Sequence, residues 1–159
     1  MSAANPAVAV MEIVEDKSEI CREIMNDLLE WFDDPKTAAA CAKAVAEWPM
    51  FGALREQTIV GFVSIKPHPP STAEIYAIGV KRRHHRSGIG RELLNRTQSF
   101  AQDRGMRLLT VKTLAPIEPD PPHYAATRRF YAANGFLQAE VLESHWDEAH
   151  PCLFLVKPL

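Results

Sequence analysis

Between Thr72 and Leu94 the sequence changes its hydrophobic period, and no other stretch restricts the possible folds as strongly. Residues Thr72 to Val80 (TAEIYAIGV) alternate as a strand does, whereas Ile89, Leu93, Thr97, Phe100 and Ala101 recur at helical spacing. The chain must therefore pass from strand to helix through VKRRHHRSGIG, a loop that carries four Lys or Arg residues and two glycines. Gly88 and Gly90 let the backbone approach a ligand closely, and a helix starting there points unpaired N–H groups and a partial positive charge outward. Such a turn suits a phosphate. Two familiar phosphate loops are excluded by spacing. There is no G-x-x-x-x-G-K-[ST], and the G-x-G lacks both the third glycine and the acidic residue about 20 positions on that a dinucleotide fold requires.

The remaining segments also alternate between strand and helix patterns, without internal repeats or low-complexity linkers, so the chain reads as one α/β domain over residues 1–159. Residues 7–14 suit a first strand. Lys17 to Phe32 suits an amphipathic helix, with Ile20, Ile24, Leu28, Trp31 and Phe32 on one stripe. Asp33-Asp34-Pro35 is a helix start, followed by an Ala-rich helix that ends near Trp48-Pro49. Met50 to Leu54 and Thr58 to Lys66 read as a hairpin, which Pro67-His68-Pro69-Pro70 is expected to stop. The tail, Trp146 to Leu159, reads as a final strand after a loop.

The net charge of −2 conceals a division of the chain: −6 over residues 1–56, neutral over 57–80, +7 over 81–112 and −3 over 113–159. Clustered positive charge points to an anionic partner or to a solvated helix face. A nucleic-acid partner is disfavoured, because the pI is about 6.3 and no aromatic residue is interleaved in Lys81 to Arg91. Cys21, Cys41 and Cys152 are odd in number and widely spaced, with no C-x-x-C, which argues against a disulfide framework or a metal site. No apolar run reaches the roughly 18 residues of a membrane span. Met1 to Val10 lacks a signal-peptide layout. A cytoplasmic protein with reduced thiols is expected.

The loop resembles the acyl-CoA signature of the GNAT superfamily of N-acetyltransferases, [QR]-x-x-G-x-[GA] after a strand ending in valine. It is present here as His85-Arg86-Ser87-Gly88-Ile89-Gly90 beyond Val80, with His in the first position. A second block, YAATRRFYAANGF from Tyr124 to Phe136, resembles the family's F-Y-x-x-x-G-F, which closes a helix and starts a strand; Asn134-Gly135 is a good helix terminator in its own right. The resemblance spans roughly residues 8–157. It implies a GNAT-like α/β (α+β) fold, a mixed central sheet of about six to seven strands flanked by about four helices.

The resemblance also implies roles. His85, Arg86, Ser87, Gly88, Ile89, Gly90 and Arg91 would cradle the pyrophosphate of acetyl-CoA. Ile78 and Val80 would pair strand-like with its pantetheine arm, and the Ile78 N–H would polarise the thioester carbonyl. Tyr131 would be the general acid that protonates the leaving thiolate. Glu74 stands six residues before Val80, where the histone-modifying members keep a general base. The family's asparagine seven positions before the tyrosine is Tyr124 here, and Thr127, Arg128 and Arg129 lie nearby on the same helix, where one arginine could reach a CoA phosphate. The two-residue period places Glu74, Tyr76, Ile78 and Val80 on one face of their strand.

An enzyme acetylating a primary amine of a small molecule or peptide by direct attack is thus expected, with no metal and with a homodimer as a common assembly of the family. The alternative is a GNAT-like domain that binds acyl-CoA as a sensor or structural module; Tyr131 and Glu74 favour the enzyme. The acceptor itself is not encoded in any motif. Loops 31–37, 67–71 and 115–123 would frame it, with Asp33, Asp34, Glu118 and Asp120 available to attract a cation and His123 and Trp146 to line a pocket.

Overall fold

The computed structural model describes residues 8–159. In chain order the elements are β1 (Ala9–Ile13), α1 (Lys17–Asn26), α2 (Pro35–Ala44), β2 (Met50–Arg55), β3 (Thr58–His68), β4 (Thr72–Val80), α3 (Ile89–Asp103), β5 (Leu108–Leu114), α4 (Pro122–Ala133), β6 (Leu137–Asp147) and β7 (His150–Pro158). Short 3₁₀ turns at Val45–Glu47 and Arg82–His84 complete them. The strands form one seven-stranded mixed sheet in the order β1-β2-β3-β4-β5-β7-β6. Seven strands and four helices agree with the architecture expected from the sequence.

The chain divides into two compact units: residues up to Lys66 together with Tyr76–Phe100, and Pro67–Ile75 together with Ala101–Leu159. In the first, β1 pairs antiparallel with β2 from Ala9↔Leu54 to Ile13↔Met50, and β2 pairs with β3 around a tight turn at Glu56-Gln57. Both turn residues have positive φ, 52° and 66°, the twist a two-residue hairpin favours. Cys21, Ile24, Met25 and Leu28 of the α1 region, Ala42, Val45, Met50, Phe62 and Ala77 form its core. The β-carbon that Gly79 lacks would stand 3.1 Å from Ile24 and 3.2 Å from Leu28, so α1 packs directly on the backbone of β4.

Helix α1 ends at Asn26, short of the expected Phe32. The amide of Asp27 bonds back to the carbonyls of Ile24 and Met25, while its carboxylate accepts the Arg82 N–H at 2.6 Å. That tertiary bond turns the chain away from the helix axis. Trp31 and Phe32 still pack on the core, from turns instead of a helical stripe. Helix α2 begins as the sequence indicates: Asp34 accepts from the Lys36 N–H at 3.0 Å and the Thr37 hydroxyl at 2.7 Å, with Pro35 in the first turn.

In the second unit β4 runs parallel to β5 from Thr72↔Leu108 to Ile75↔Val111, and β7 pairs antiparallel with both β5 and β6. Two expectations are corrected here. Strand β3 does not stop at Pro67 but continues to His68, a position where a proline is tolerated if its missing N–H is not needed by a partner. The tail forms a final strand, β7, after a turn at Glu148-Ala149, as the sequence indicates, but Trp146 and Asp147 belong to the preceding strand β6, which pairs with it as a hairpin.

Ile24 is 1% exposed and touches the space above Gly79, so Ile24→Ala opens a cavity that the rigid β4 backbone cannot fill. Denaturant unfolding should show a loss of about 2–5 kcal/mol.

Candidate active site

The first unit presents the strand-to-helix loop. Val80 ends β4, and the chain then makes the Arg82–His84 turn before α3 starts at Ile89. Arg86 and Gly88 both take positive φ, 59° and 84°, which reverses the backbone before the helix. A β-carbon at Gly88 would meet nothing within 4 Å, so the space beside its backbone is open. The first intrahelical bond runs from the Glu92 N–H to the Gly88 carbonyl at 3.1 Å. The amides of Ile89, Gly90 and Arg91 precede it and have no helical acceptor.

Side chains hold this turn in shape. His85 Nε2 donates to the Val80 carbonyl at 2.6 Å, its ring edge-on to Trp31 with centroids 6.1 Å apart, and the Ser87 hydroxyl donates to the His84 carbonyl. His85 and Ser87 thus brace the loop from within. Lys81 pairs with Glu23 at 2.6 Å, and Arg82 pairs with Glu30. Arg55 donates to His84 Nδ1 at 3.2 Å; partial burial, and after it the Arg55 charge, hold the imidazole below its usual pKa. Arg96 lies 4.7 Å over the Phe51 ring. The basic segment is therefore sorted: several cations are engaged within the protein, while Arg86 and Arg91, on the loop and the first helical turn, are exposed.

Strand β4 shows the expected alternation. Ala73, Ile75, Ala77 and Gly79 are buried, whereas Tyr76, Ile78 and Val80 are half-buried. Glu74 breaks the pattern, for it is buried too. Its two carboxylate oxygens are both engaged inside the second unit: Oε1 lies 2.8 Å from His68 Nε2 and Oε2 accepts from Lys112 Nζ at 3.0 Å. Burial alone would raise the carboxyl pKa, but the bonds from His68 and Lys112 outweigh it and hold the group below its usual range. Register explains the partner on β5. Glu74 stands opposite Thr110, and Lys112 follows two residues later on the same face.

Tyr131 is 3% exposed near the end of α4, with the Phe130 and Phe136 rings at centroid distances of 5.3 and 5.4 Å. Burial pushes its phenol well above the ordinary value, so it keeps its proton at any working pH. The helix end is fixed by Gly135 at φ 88° and by Asn134, whose Nδ2 donates to the Phe130 carbonyl at 2.8 Å. The other α4 residues singled out from the sequence make local bonds. Arg128 donates to the Leu114 carbonyl at 2.6 Å and pairs with Asp120, Thr127 donates to the His123 carbonyl at 3.0 Å, and the Tyr124 ring lies 4.7 Å from that of His123. Arg128 thereby ties α4 to β5 and to the proline-rich loop.

Sequence reasoning missed His68 and Lys112. His68 was hidden in a segment read as a strand terminator, and Lys112 looked like one more cation of the basic stretch. Asp34 serves as a helix cap and Trp146 is 47% exposed on β6. Cys21, Cys41 and Cys152 are free thiols. Among the described residues no helix is long and apolar enough to cross a membrane, and no three His, Cys, Asp or Glu side chains form a metal-binding group.

Because the folded-state pKa of Glu74 lies below that of the unfolded chain, its contribution to stability is present above the ordinary carboxylate value of about 4.3 and disappears as pH falls through the lower folded value. Thermal unfolding from pH 7 to pH 3 should therefore show Glu74→Gln less stable than the parent at neutral pH, with the gap closing in acid. A gap independent of pH would contradict the ion-pair network.

The sequence profile described as "Acetyltransferase (GNAT) family" matches residues 18–136, and no curated protein matches the chain. Among solved structures, a protein described as a GNAT-family acetyltransferase from Desulfovibrio desulfuricans superposes with a TM-score of 0.82 at 25% identity, over 96% of this chain and 99% of its own. A GNAT acetyltransferase from Elizabethkingia anophelis with acetyl-CoA bound gives 0.71 at 16% identity, over 99% and 100%. The ribosomal-protein-S18-alanine N-acetyltransferase of Escherichia coli gives 0.76 at 17% identity, over 96% and 94%, a likeness of fold. With three-quarters of its length matched by the profile, and with both motif blocks in their expected structural settings, this chain belongs to the GNAT family of acetyltransferases.

Proposed function

We propose that the protein is an N-acetyltransferase that moves an acetyl group from acetyl-CoA to a primary amine of a small molecule or peptide by direct attack. The observation that carries this reading is the preformed turn at Arg86–Arg91 in a member of this family: two residues at positive φ, open space beside Gly88, first-turn amides of α3 that have no helical acceptor and two exposed arginines. That arrangement suits a pyrophosphate. The family relatives support the same chemistry, since one holds acetyl-CoA and another acetylates an alanine nitrogen. The profile runs unbroken through segments of both units, which supports a single acetyltransferase domain over residues 1–159.

Acetyl-CoA supplies the activated acetyl group and a thiol leaving group. The backbone of Ile78 and Val80 lies on the stretch of β4 beyond its ladder with β5, and serves as the strand edge for the pantetheine arm. Ile89, Gly90 and Arg91 offer their amides to phosphate oxygens, with the Arg86 and Arg91 side chains adding charge. His85 and Ser87 act by bracing that loop. Tyr131, whose phenol is neutral before the reaction, donates to the departing sulfur and is reprotonated afterwards. Glu74 keeps a buried negative charge, which favours the positive charge that develops on a nitrogen as it attacks. Free thiols fit a reducing, cytoplasmic setting.

Purified protein incubated with acetyl-CoA and a panel of amines should release thiol with at least one of them. Stabilisation by CoA without release for any amine would leave an acyl-CoA-binding module, and failure of CoA to stabilise the protein would remove both readings. Tyr131→Phe should lower kcat by about 10²–10⁴-fold while the affinity for CoA stays within about twofold. Gly88→Val, which strains a φ of 84° and fills the open space beside the backbone, should weaken CoA binding at least about tenfold, or ~1.4 kcal/mol, in a calorimetric titration.

A further inference from the structure

The carboxylate in the general-base position is poorly placed to take a proton from an amine. Glu74 is 8% exposed, one of its oxygens accepts from Lys112 and the other lies 2.8 Å from an imidazole nitrogen. A carboxylate stabilised by two donors is also a weakened base. The imidazole beside it has the complementary properties. His68 sits at the end of β3, with 45% of its side chain exposed. An ionised carboxylate can only accept, so His68 Nε2 carries the hydrogen of their shared bond, and the lone pair of the neutral ring is on Nδ1. A nitrogen base fixed in one tautomer by a carboxylate, with its other nitrogen free to accept a proton, is the arrangement general-base catalysis requires.

We propose that His68 is the base that takes the amine proton, and that Glu74, held by Lys112, is the positioning residue that fixes the tautomer and orientation of its ring. This rests on the acetyl-transfer reading above and extends it to a residue outside both motifs. In the step, the amine nitrogen bonds to the acetyl carbon as the carbon–sulfur bond breaks. One proton leaves the nitrogen for His68 Nδ1, and the departing sulfur takes one from Tyr131. His68 then returns its proton to water and Tyr131 regains one, so the sum is amide plus free thiol. The imidazole faces Glu74 from β4, which Lys112 from β5 holds from its other side, and the Cys152 thiol of β7 feels the charges of both Lys112 and Glu74.

The test compares the parent with His68→Gln, which keeps a donor for Glu74 but has no basic nitrogen, and with His68→Ala. The probes are spermidine, a lysine-containing peptide, a peptide with a free N-terminal alanine and kanamycin, each with acetyl-CoA. For whichever amine the parent acetylates, His68→Gln should lose about 10²–10⁴-fold in kcat with KM for acetyl-CoA within about twofold. The acidic limb of the kcat profile should flatten, and added imidazole should partly restore His68→Ala. Long-range ¹⁵N spectra of the parent without substrate should show the Nε2–H tautomer, lost in Glu74→Gln. A kcat for His68→Gln within about threefold of the parent, or an unchanged acidic limb, overturns the role of His68 while leaving acetyl transfer intact. Acetylation of none of the amines by the parent overturns the functional reading, and this inference with it.

Discussion

The reversal of the chain between β4 and α3 is the constraint around which the first unit is organised. A strand and a helix meet there without a conventional capping side chain, so the turn depends on Gly88 and Arg86 at positive φ and on bonds that brace it. His85 reaches back to the carbonyl at the end of β4, Ser87 closes the inner turn, and Asp27 accepts the backbone N–H of Arg82. The last bond joins the residue that caps the end of α1 to the start of the loop, 55 positions away in sequence. Close packing of Ile24 and Leu28 over Gly79 then fixes the strand from which the loop departs.

The second unit solves a different problem, that of keeping charge in a buried place. An isolated buried carboxylate would protonate or be excluded. Glu74 remains ionised because β3 and β5 each bring a donor, and the Phe154 ring of β7 lies with its centroid 5.9 Å from Lys112 Nζ. Tyr131 is the opposite case, a group kept neutral by a ring-lined site. A carboxylate held ionised and a phenol held neutral thus stand in the same unit, each kept in its state by burial and by the groups around it.

Much of this was legible in the sequence, and the exceptions share a cause. The alternation of β4, the glycine loop, the start of α2 at Asp34-Pro35 and the close of α4 at Asn134-Gly135 are local patterns, readable from neighbouring residues. The end of α1, the continuation of β3 through Pro67 and the partners of Glu74 are decided by residues far away in the chain. Lys112 is 38 positions from Glu74, and only the parallel register of β4 and β5 brings them together. His68 is near Glu74 in sequence but was disguised by its prolines, which ordinarily punctuate a strand and here do not. Likewise, the basic segment could be counted but not sorted until Glu23, Glu30 and Phe51 showed which cations are already engaged.

The ties that shape the loop differ in kind. The bonds of His85 and Ser87 to main-chain carbonyls are short-range and insensitive to dissolved ions, whereas Lys81 to Glu23 and Arg82 to Glu30 are ion pairs with solvent-exposed partners. Screening at physiological ionic strength acts over about 8 Å and weakens the second group selectively. As salt rises the outer ties to Glu23 of α1 and to Glu30 beyond it should weaken first, and the bonds of His85 and Ser87 within the turn least. The turn is thus held by two sets of ties with different responses to salt, so its internal shape and its attachment to the neighbouring segment can be perturbed separately.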